Sequence, residues 1–310
     1  MGKSPLYVPG QKEPFKMSRS KIEEFIRCPR CFVLEARHGI KKPGGVPFTL
    51  NVAVDNQLKK EFDIYRKNKE VHPLVAAAGL DLVPFSHPDL DVWRSNFKGV
   101  SHTTSDERFH IFGAVDDLWV NSAGVITVVD YKATGRQEPV TALGTGGFYD
   151  GYRRQLEIYQ WLLRKNGFEV SDTGYWVYVT ATQKQDRFDN LLHFEANLVS
   201  YTGNSDWVDA KLEDIYENLN AYQIPKPSDD CDVCLFFEKR ATFFQNEEED
   251  VTWPTCENCG RRMHKVIYGY PIGPPSDGYL LGGCTVESPS PNEICLTCNP
   301  PQDEEQAFSN

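Results

Sequence analysis

No run of apolar residues in this chain approaches the roughly twenty that a helix needs to cross a bilayer, which argues against a helical membrane span. The start, Met1-Gly2-Lys3-Ser4-Pro5, lacks the apolar stretch of a secretory leader, so a reducing cytoplasm is the expected compartment. No segment repeats at a fixed period, which argues against solenoids and propellers. Positive charge is also short: 33 Lys and Arg stand against 44 Asp and Glu, a net charge of −11. A uniformly basic field for a polyanion is therefore missing. Its distribution is uneven, however. Residues 1–72 carry fifteen Lys or Arg against eight Asp or Glu, while acid gathers in Glu247-Glu248-Glu249-Asp250 and Asp303-Glu304-Glu305. A basic face can coexist with such acidic segments, although a solvated helix surface would look the same. With 310 residues, 40% of them hydrophobic, one large domain and a small appended one are expected.

Cysteine is not scarce, and it is not scattered. Eight of the nine fall in four C-x-x-C pairs: Cys28/Cys31, Cys231/Cys234, Cys256/Cys259 and Cys295/Cys298. One tight turn of this kind presents two thiolates to one ion, and two turns complete a tetrahedral site. The last two pairs read as a zinc ribbon, with Gly260 easing the knuckle after Cys259. Cys284 and His264 are bystanders or substitute ligands. Arg261, Arg262 and Lys265 could grip DNA, or the module could dock a protein, but small zinc modules are folding staples first.

The chemistry-bearing residues lie in two acidic stretches, Gly113-Ala114-Val115-Asp116-Asp117 and Val128-Val129-Asp130-Tyr131-Lys132. Alternation along a strand sends Asp130 and Lys132 to one face and Val129 and Tyr131 to the other. A turn over 121–124 folds the two stretches into a hairpin, bringing Asp116 beside Asp130. Two carboxylates and an ammonium then converge, which suits holding Mg²⁺ or Mn²⁺ and activating water. A D-x-K triplet is also common as an exposed ion pair.

Helical spacing over 152–163 puts Gln155, Tyr159 and Leu162 on one face, so Gln155 either turns inward to a partner or sits on the rim. A helix over 52–69 places Asp55 on the apolar side with Leu58 and Phe62; it needs a metal or base as partner, or it serves the helix dipole. Strands are expected over 173–182, with Tyr175, Val177 and Val179 on one face, and over 191–198; a helix is expected over 206–222. The stretch 71–106 shows no clear period. His193-x-Glu195 with Cys231-x-x-Cys234 imitates a zinc deaminase, but Asp230 stands where that motif has proline, and the histidine lies within the strand-like run 191–198 where that motif has a helix start.

The order is helix, irregular stretch, D…D-x-K hairpin, then a helix with Q-x-x-x-Y. Together with Ser18-Arg19-Ser20, Phe25 and Cys28-Pro29-Arg30, this resembles the PD-(D/E)XK nuclease superfamily in its RecB-like branch, which includes CRISPR-associated exonucleases and the AddB nuclease domain. The resemblance implies a mixed α/β fold, a central sheet flanked by helices, over 17–240. It makes Asp116, Asp130 and the Tyr131 carbonyl the metal ligands, Lys132 the water-positioning group, and Gln155 with Tyr159 its supports. Where relatives often carry a metal-binding histidine, this chain has Asp55, a fourth candidate ligand. The resemblance also brings Cys28, Cys31, Cys231 and Cys234 together on an iron–sulfur cluster. Two cysteines at each end depart from the more frequent one and three, which leaves Zn²⁺ open.

The layout is then a flexible arm (1–16), the nuclease domain (17–240), an acidic linker (241–253), the ribbon (254–300) and an acidic tail (301–310). The function expected is Mg²⁺- or Mn²⁺-dependent cleavage of DNA in repair, recombination or defence. Two alternatives stand beside it: a non-catalytic nucleic-acid-binding or adaptor protein that keeps the fold, and a zinc enzyme working through its cysteines.

Overall fold

The computed structural model describes residues 5–45, 48–250, 254–267, 279–281 and 293–298. Two compact units divide the chain, Met1–Leu235 and Phe236–Asn310. The first is a mixed α/β unit. It opens with β1 (Phe15–Ser18), α1 (Arg19–Arg27), α2 (Pro29–His38) and α3 (Thr49–Asn68). Next come α4 (Pro73–Ala77), β2 (Val83–Pro84), α5 (Leu90–Trp93), β3 (Val100–Thr103), β4 (Phe109–Gly113), β5 (Asp117–Val120) and β6 (Ile126–Arg136). It continues through α6 (Gly147–Lys165), β7 (Thr173–Thr182), β8 (Phe194–Thr202) and α7 (Trp207–Asn220). Helix α8 runs Asp232–Asp250, so the acidic run after Gln245 lies within a helix.

The main sheet has five strands in the order β2-β5-β6-β7-β8. Strands β6 and β7 are parallel and joined through α6, while the other pairs are antiparallel. The β5–β6 hairpin closes as expected: Asn121 Oδ1 accepts the Ala123 and Val125 N–H groups, and Gly124 takes the left-handed backbone that the turn requires. A second sheet, β1-β4-β3, pairs β1 parallel with β4.

Strand β6 is buried on both faces from Ile126 to Tyr131, and alternation sorts its side chains. Val128 joins Leu118, Trp176 and the α6 residues Leu156, Ile158 and Leu162 in the larger core. Val129 and Tyr131 join Phe62, Trp119, Val177 and Val179 in a second core under α3. Asp130 and Lys132 share the parity of Val128, so they face α6.

Several expectations shift. Residues 5–16 are docked rather than loose: Tyr7 is buried, its N–H donates to the Ala36 carbonyl at 2.8 Å, and Phe15 enters β1. The second edge strand starts at Phe194 instead of 191, because the polar stretch before it forms a turn. The first acidic stretch is not one strand. Gly113 ends β4 in one sheet and Asp117 begins β5 in the other, so Asp116 lies in the crossing between them. No helix among the described residues is long and apolar enough to cross a membrane.

Asp117, fully buried, ties these parts together. Its Oδ1 accepts from Arg66 Nη2 at 2.5 Å, Arg94 Nη2 at 2.9 Å and the Leu118 N–H at 2.8 Å. Its Oδ2 accepts from the Tyr131 hydroxyl at 2.7 Å and Trp119 Nε1 at 3.3 Å. Asp117→Ala would leave two guanidinium groups without their buried counter-charge, a loss of about 3–5 kcal/mol. Urea unfolding of the variant should show a midpoint lowered accordingly with an unchanged slope; a loss near zero would remove Asp117 from this role.

Candidate active site and metal centres

The hairpin brings Asp116 to β6, where its Oδ2 accepts the Tyr131 N–H at 2.9 Å. Asp130 stands one residue away, fully buried. Its Oδ2 accepts from Lys132 Nζ and its Oδ1 from Gln155 Nε2, the latter at 2.7 Å. Gln155 faces inward from α6. Its carbonyl lies 3.4 Å from Lys132 Nζ, and its amide also reaches the Tyr159 hydroxyl at 3.2 Å. Tyr159 fits because residue 113 is glycine: a Cβ there would lie 2.6 Å from the tyrosine ring. The five residues that the sequence singles out for catalysis are thus gathered in one place.

Asp55 arrives from α3, but its partner is a lysine. Lys59 Nζ lies 2.8 Å from Asp55 Oδ2 and 3.4 Å from Asp116 Oδ1. Among the described residues, only the two cysteine sets bring three or more ligand atoms within 4.8 Å of one another. The carboxylates of Asp55, Asp116 and Asp130 do not form so close a triple.

Three neighbours of the site escaped the sequence reading. Lys59 is one helical turn beyond Asp55, a spacing that signals an ion pair. Tyr152 lies three residues before Gln155 on the same helix, and its ring sits 4.5 Å from Lys132 Nζ, a cation–π contact. Arg94 donates from Nε to the Asp116 carbonyl at 3.1 Å and holds Asp63 and Asp117 with its other nitrogens. Arg94 lies in the stretch without a readable period, where no signal pointed to it.

Charge is tightly balanced here. Burial pushes the Asp130 carboxyl up, Lys132 opposes that, and the Asp116 carboxylate raises it again, to about 7. Burial and Asp116 likewise raise Asp55, against the pull of Lys59. Lys132 is held above its ordinary value: Asp130 and Asp116 outweigh the burial that would lower it. Asp55 and Asp130, both raised, supply hard carboxylate oxygens that suit a divalent cation, which would favour their charged forms.

The four thiols of Cys28, Cys31, Cys231 and Cys234 form a separate buried cluster. Cys28 caps α2, and Pro29 starts that helix. Sulfur separations are 3.8 Å for Cys28–Cys234, 3.6 Å for Cys31–Cys231 and 3.5 Å for Cys31–Cys234. A tetrahedron of sulfurs about 2.3 Å from one ion has edges of about 3.8 Å. Burial acts upward on the Cys28 thiol, but N–H groups of Cys31 and Ser228 bring it down to about 7, while Cys234 is pushed up to about 11 by burial and its neighbours. Burial and the neighbouring thiols, an ionised Cys28 among them, make Cys31 and Cys234 resist ionising.

The second unit repeats the arrangement. Its sheet has the order β10-β9-β11, with β9 His264–Ile267, β10 Tyr279–Leu281 and β11 Glu293–Ile294. Cys256 and Cys298 are 3.8 Å apart, Cys259 and Cys295 3.5 Å, and the Gly260 N–H donates to the Cys256 carbonyl. Arg261 reaches Thr297 Oγ1 at 3.3 Å and so braces the ribbon across its two knuckles. His264 is not needed to complete this set, and Cys284 lies outside the described residues. Of the deaminase imitation nothing survives: Cys231 and Cys234 belong to the Cys28 cluster, and Glu195 is on edge strand β8.

A model of the PD-(D/E)XK nuclease superfamily matches residues 52–238, more than half of the chain. No curated protein matches it. Among solved structures, the one titled "Crystal structure of SSO0001" is 18% identical, with 74% of this chain and 86% of that chain covered and a TM-score of 0.30.

The raised Asp130 sets a pH dependence. Its folded value lies above the unfolded one of about 3.9, so the folded state holds an extra proton between roughly pH 4 and 7 and stability falls as pH rises through that window. A divalent cation held by this carboxylate would bind its ionised form and would have to displace that proton. Apparent Mg²⁺ or Mn²⁺ affinity should therefore rise by about tenfold per unit up to pH 7 and level off above it. Isothermal titration in buffers of different ionisation enthalpy checks this; affinity flat from pH 5.5 to 8 with no proton release would contradict it.

Proposed function

Since the chain belongs to the PD-(D/E)XK nuclease superfamily, whose members hydrolyse phosphodiester bonds with divalent metals, we propose that it is a RecB-like nuclease that cleaves DNA with Mg²⁺ or Mn²⁺. The observation that carries this reading is Lys132, its ammonium shared between buried Asp130 and inward-facing Gln155, with Asp116 alongside. Asp116, Asp130 and the Tyr131 carbonyl would hold the cation. Once bound, that ion polarises a phosphoryl oxygen and lowers the pKa of a water. Lys132 orients the attacking water and offsets the negative charge that builds on the non-bridging oxygens. The water releases a proton to solvent as its oxygen bonds to phosphorus and the opposite P–O ester bond breaks, and the leaving oxygen gains a proton from solvent. Gln155 keeps Lys132 aimed, and Tyr159 keeps Gln155 aimed.

Cleavage of end-labelled single- and double-stranded DNA with Mg²⁺, Mn²⁺ or EDTA tests this. Asp130→Ala and Lys132→Ala should each lose roughly 10²–10³-fold or more of the metal-dependent rate. The product ladder separates exonuclease from endonuclease action. A folded, metal-replete wild type that cuts no substrate would hand the site to the adaptor reading.

For both cysteine sets we infer one Zn²⁺ each. The sulfur separations support a single tetrahedral ion, because a multi-iron cluster seats thiolates on different irons and spreads them apart. Anaerobically purified protein should contain two zinc ions per chain and no acid-labile sulfide; brown protein with sulfide would establish a cluster at Cys28, Cys31, Cys231 and Cys234 instead.

A further inference from the structure

Lys59 has no part in the chemistry assigned to Asp116, Asp130 and Lys132, yet it sits at the centre. Lys132 stands on Asp130, and Lys59 stands on Asp116, so each acid of the pair has its own ammonium. Of the Asp116 oxygens, Oδ2 is occupied by the Tyr131 N–H, and Oδ1 is the one that faces Lys59.

Two-metal hydrolysis of a phosphodiester places its ions about 3.5–4 Å apart on carboxylates they share. A second ion here would need the outer oxygen of Asp116 together with a further acid on that side, and the acid on that side is Asp55. These are the two oxygens that Lys59 spans, at 3.4 and 2.8 Å. The lysine is anchored on α3 one turn after Asp55, and its side chain is four-fifths covered, so it is not a free surface cation that swings in by chance.

We propose that Lys59 takes the place of a second metal ion, so that the acid centre binds a single divalent cation. The catalytic consequence rests on the nuclease reading; the ion count does not. A fixed ammonium offsets the mutual repulsion of Asp55 and Asp116 as an ion would. It offers no vacant coordination position, however, and cannot activate a second water. Lys59 is thus a positioning residue that sets how many ions enter and leaves water activation to the one beside Asp130.

Ion counting on the full chain, loaded with zinc, tests the idea without substrate. Mn²⁺ binding would be followed by electron paramagnetic resonance, with Asp130→Asn as the background for sites elsewhere. Wild type should bind one Mn²⁺ at the centre, and cleavage should rise with Mg²⁺ at a Hill coefficient near one. Lys59→Ala leaves two carboxylates facing each other without a cation. It should admit a second Mn²⁺, or bind the first tighter by on the order of tenfold. Lys59→Arg, which keeps the charge, should still bind one. If Lys59→Ala does not fold, Lys59→Gln, of similar reach and no charge, makes the same comparison. Two Mn²⁺ ions in the wild-type centre would overturn the proposal, as would uncharged variants that bind one ion with unaltered affinity. One bound Mn²⁺ with no cleavage of any nucleic acid would sink the nuclease reading and leave this inference standing.

Discussion

The buried carboxylate of Asp117 is the constraint on which the first unit depends. A charge taken out of water needs partners for both oxygens, and here they come from four directions: Arg66 on α3, Arg94 just past α5, Tyr131 on β6, and Trp119 with the Leu118 N–H on β5 itself. Three of these partners reach the site. Tyr131 lies between Asp116 and Lys132 on the chain and lends Asp116 its N–H. Arg94 donates to the Asp116 carbonyl. Arg66 fixes the end of the helix that carries Asp55 and Lys59. One buried acid with no role in bond breaking therefore sets the register of the acids proposed to break bonds.

Around the centre each carboxylate has an ammonium beside it: Lys59 serves Asp55 and Asp116, and Lys132 serves Asp130. In a medium of low effective dielectric these two ammoniums keep the repulsion between Asp116 and Asp130 tolerable. Asp130 stays reluctant to ionise all the same, chiefly because it is buried and in lesser part because Asp116 is near. A divalent cation held between these carboxylates would relieve part of that cost. Burial of these acids, costly without metal, would then contribute to affinity for one, a trade common where function needs groups that a core would not choose.

Legibility in the sequence followed the range of the interactions. The β5–β6 hairpin, the period of α6 and strand β7 were readable because each depends on neighbours a few residues away, and the D-x-K spacing placed its two side chains on one face. What the sequence could not reveal is where one sheet stops and another starts. Gly113 and Asp117 look like one strand, yet they belong to two sheets, and only the packing of Tyr159 against Gly113 and the demand of Asp117 for buried partners decide the crossing. Arg94 and Tyr152 were invisible for the same reason, since their roles are made by contacts across 22 and 20 residues. Asp55 was read as needing a partner, and it has one; that the partner is Lys59 turns on the rotation of α3 against the hairpin.

The cysteine cluster lies off the acid centre but not out of its reach. Cys28 ends α1 and begins α2, while Cys231 and Cys234 arrive about two hundred residues later, so an ion there closes nearly the whole first unit on itself. Helix α1, fixed at that end, turns two side chains toward the site. Glu23 grips Arg154 with two bonds of 2.8 Å, next to Gln155, and Arg19 lies over the Tyr159 ring at 5.9 Å. Gln155 and Tyr159 are the groups proposed to aim Lys132. A displacement of α6 by an ångström would spoil a contact chain built of hydrogen bonds of 2.7 to 3.4 Å. An ion bound by these sulfurs would accordingly act through position alone, holding the helix that holds the helix that carries the glutamine.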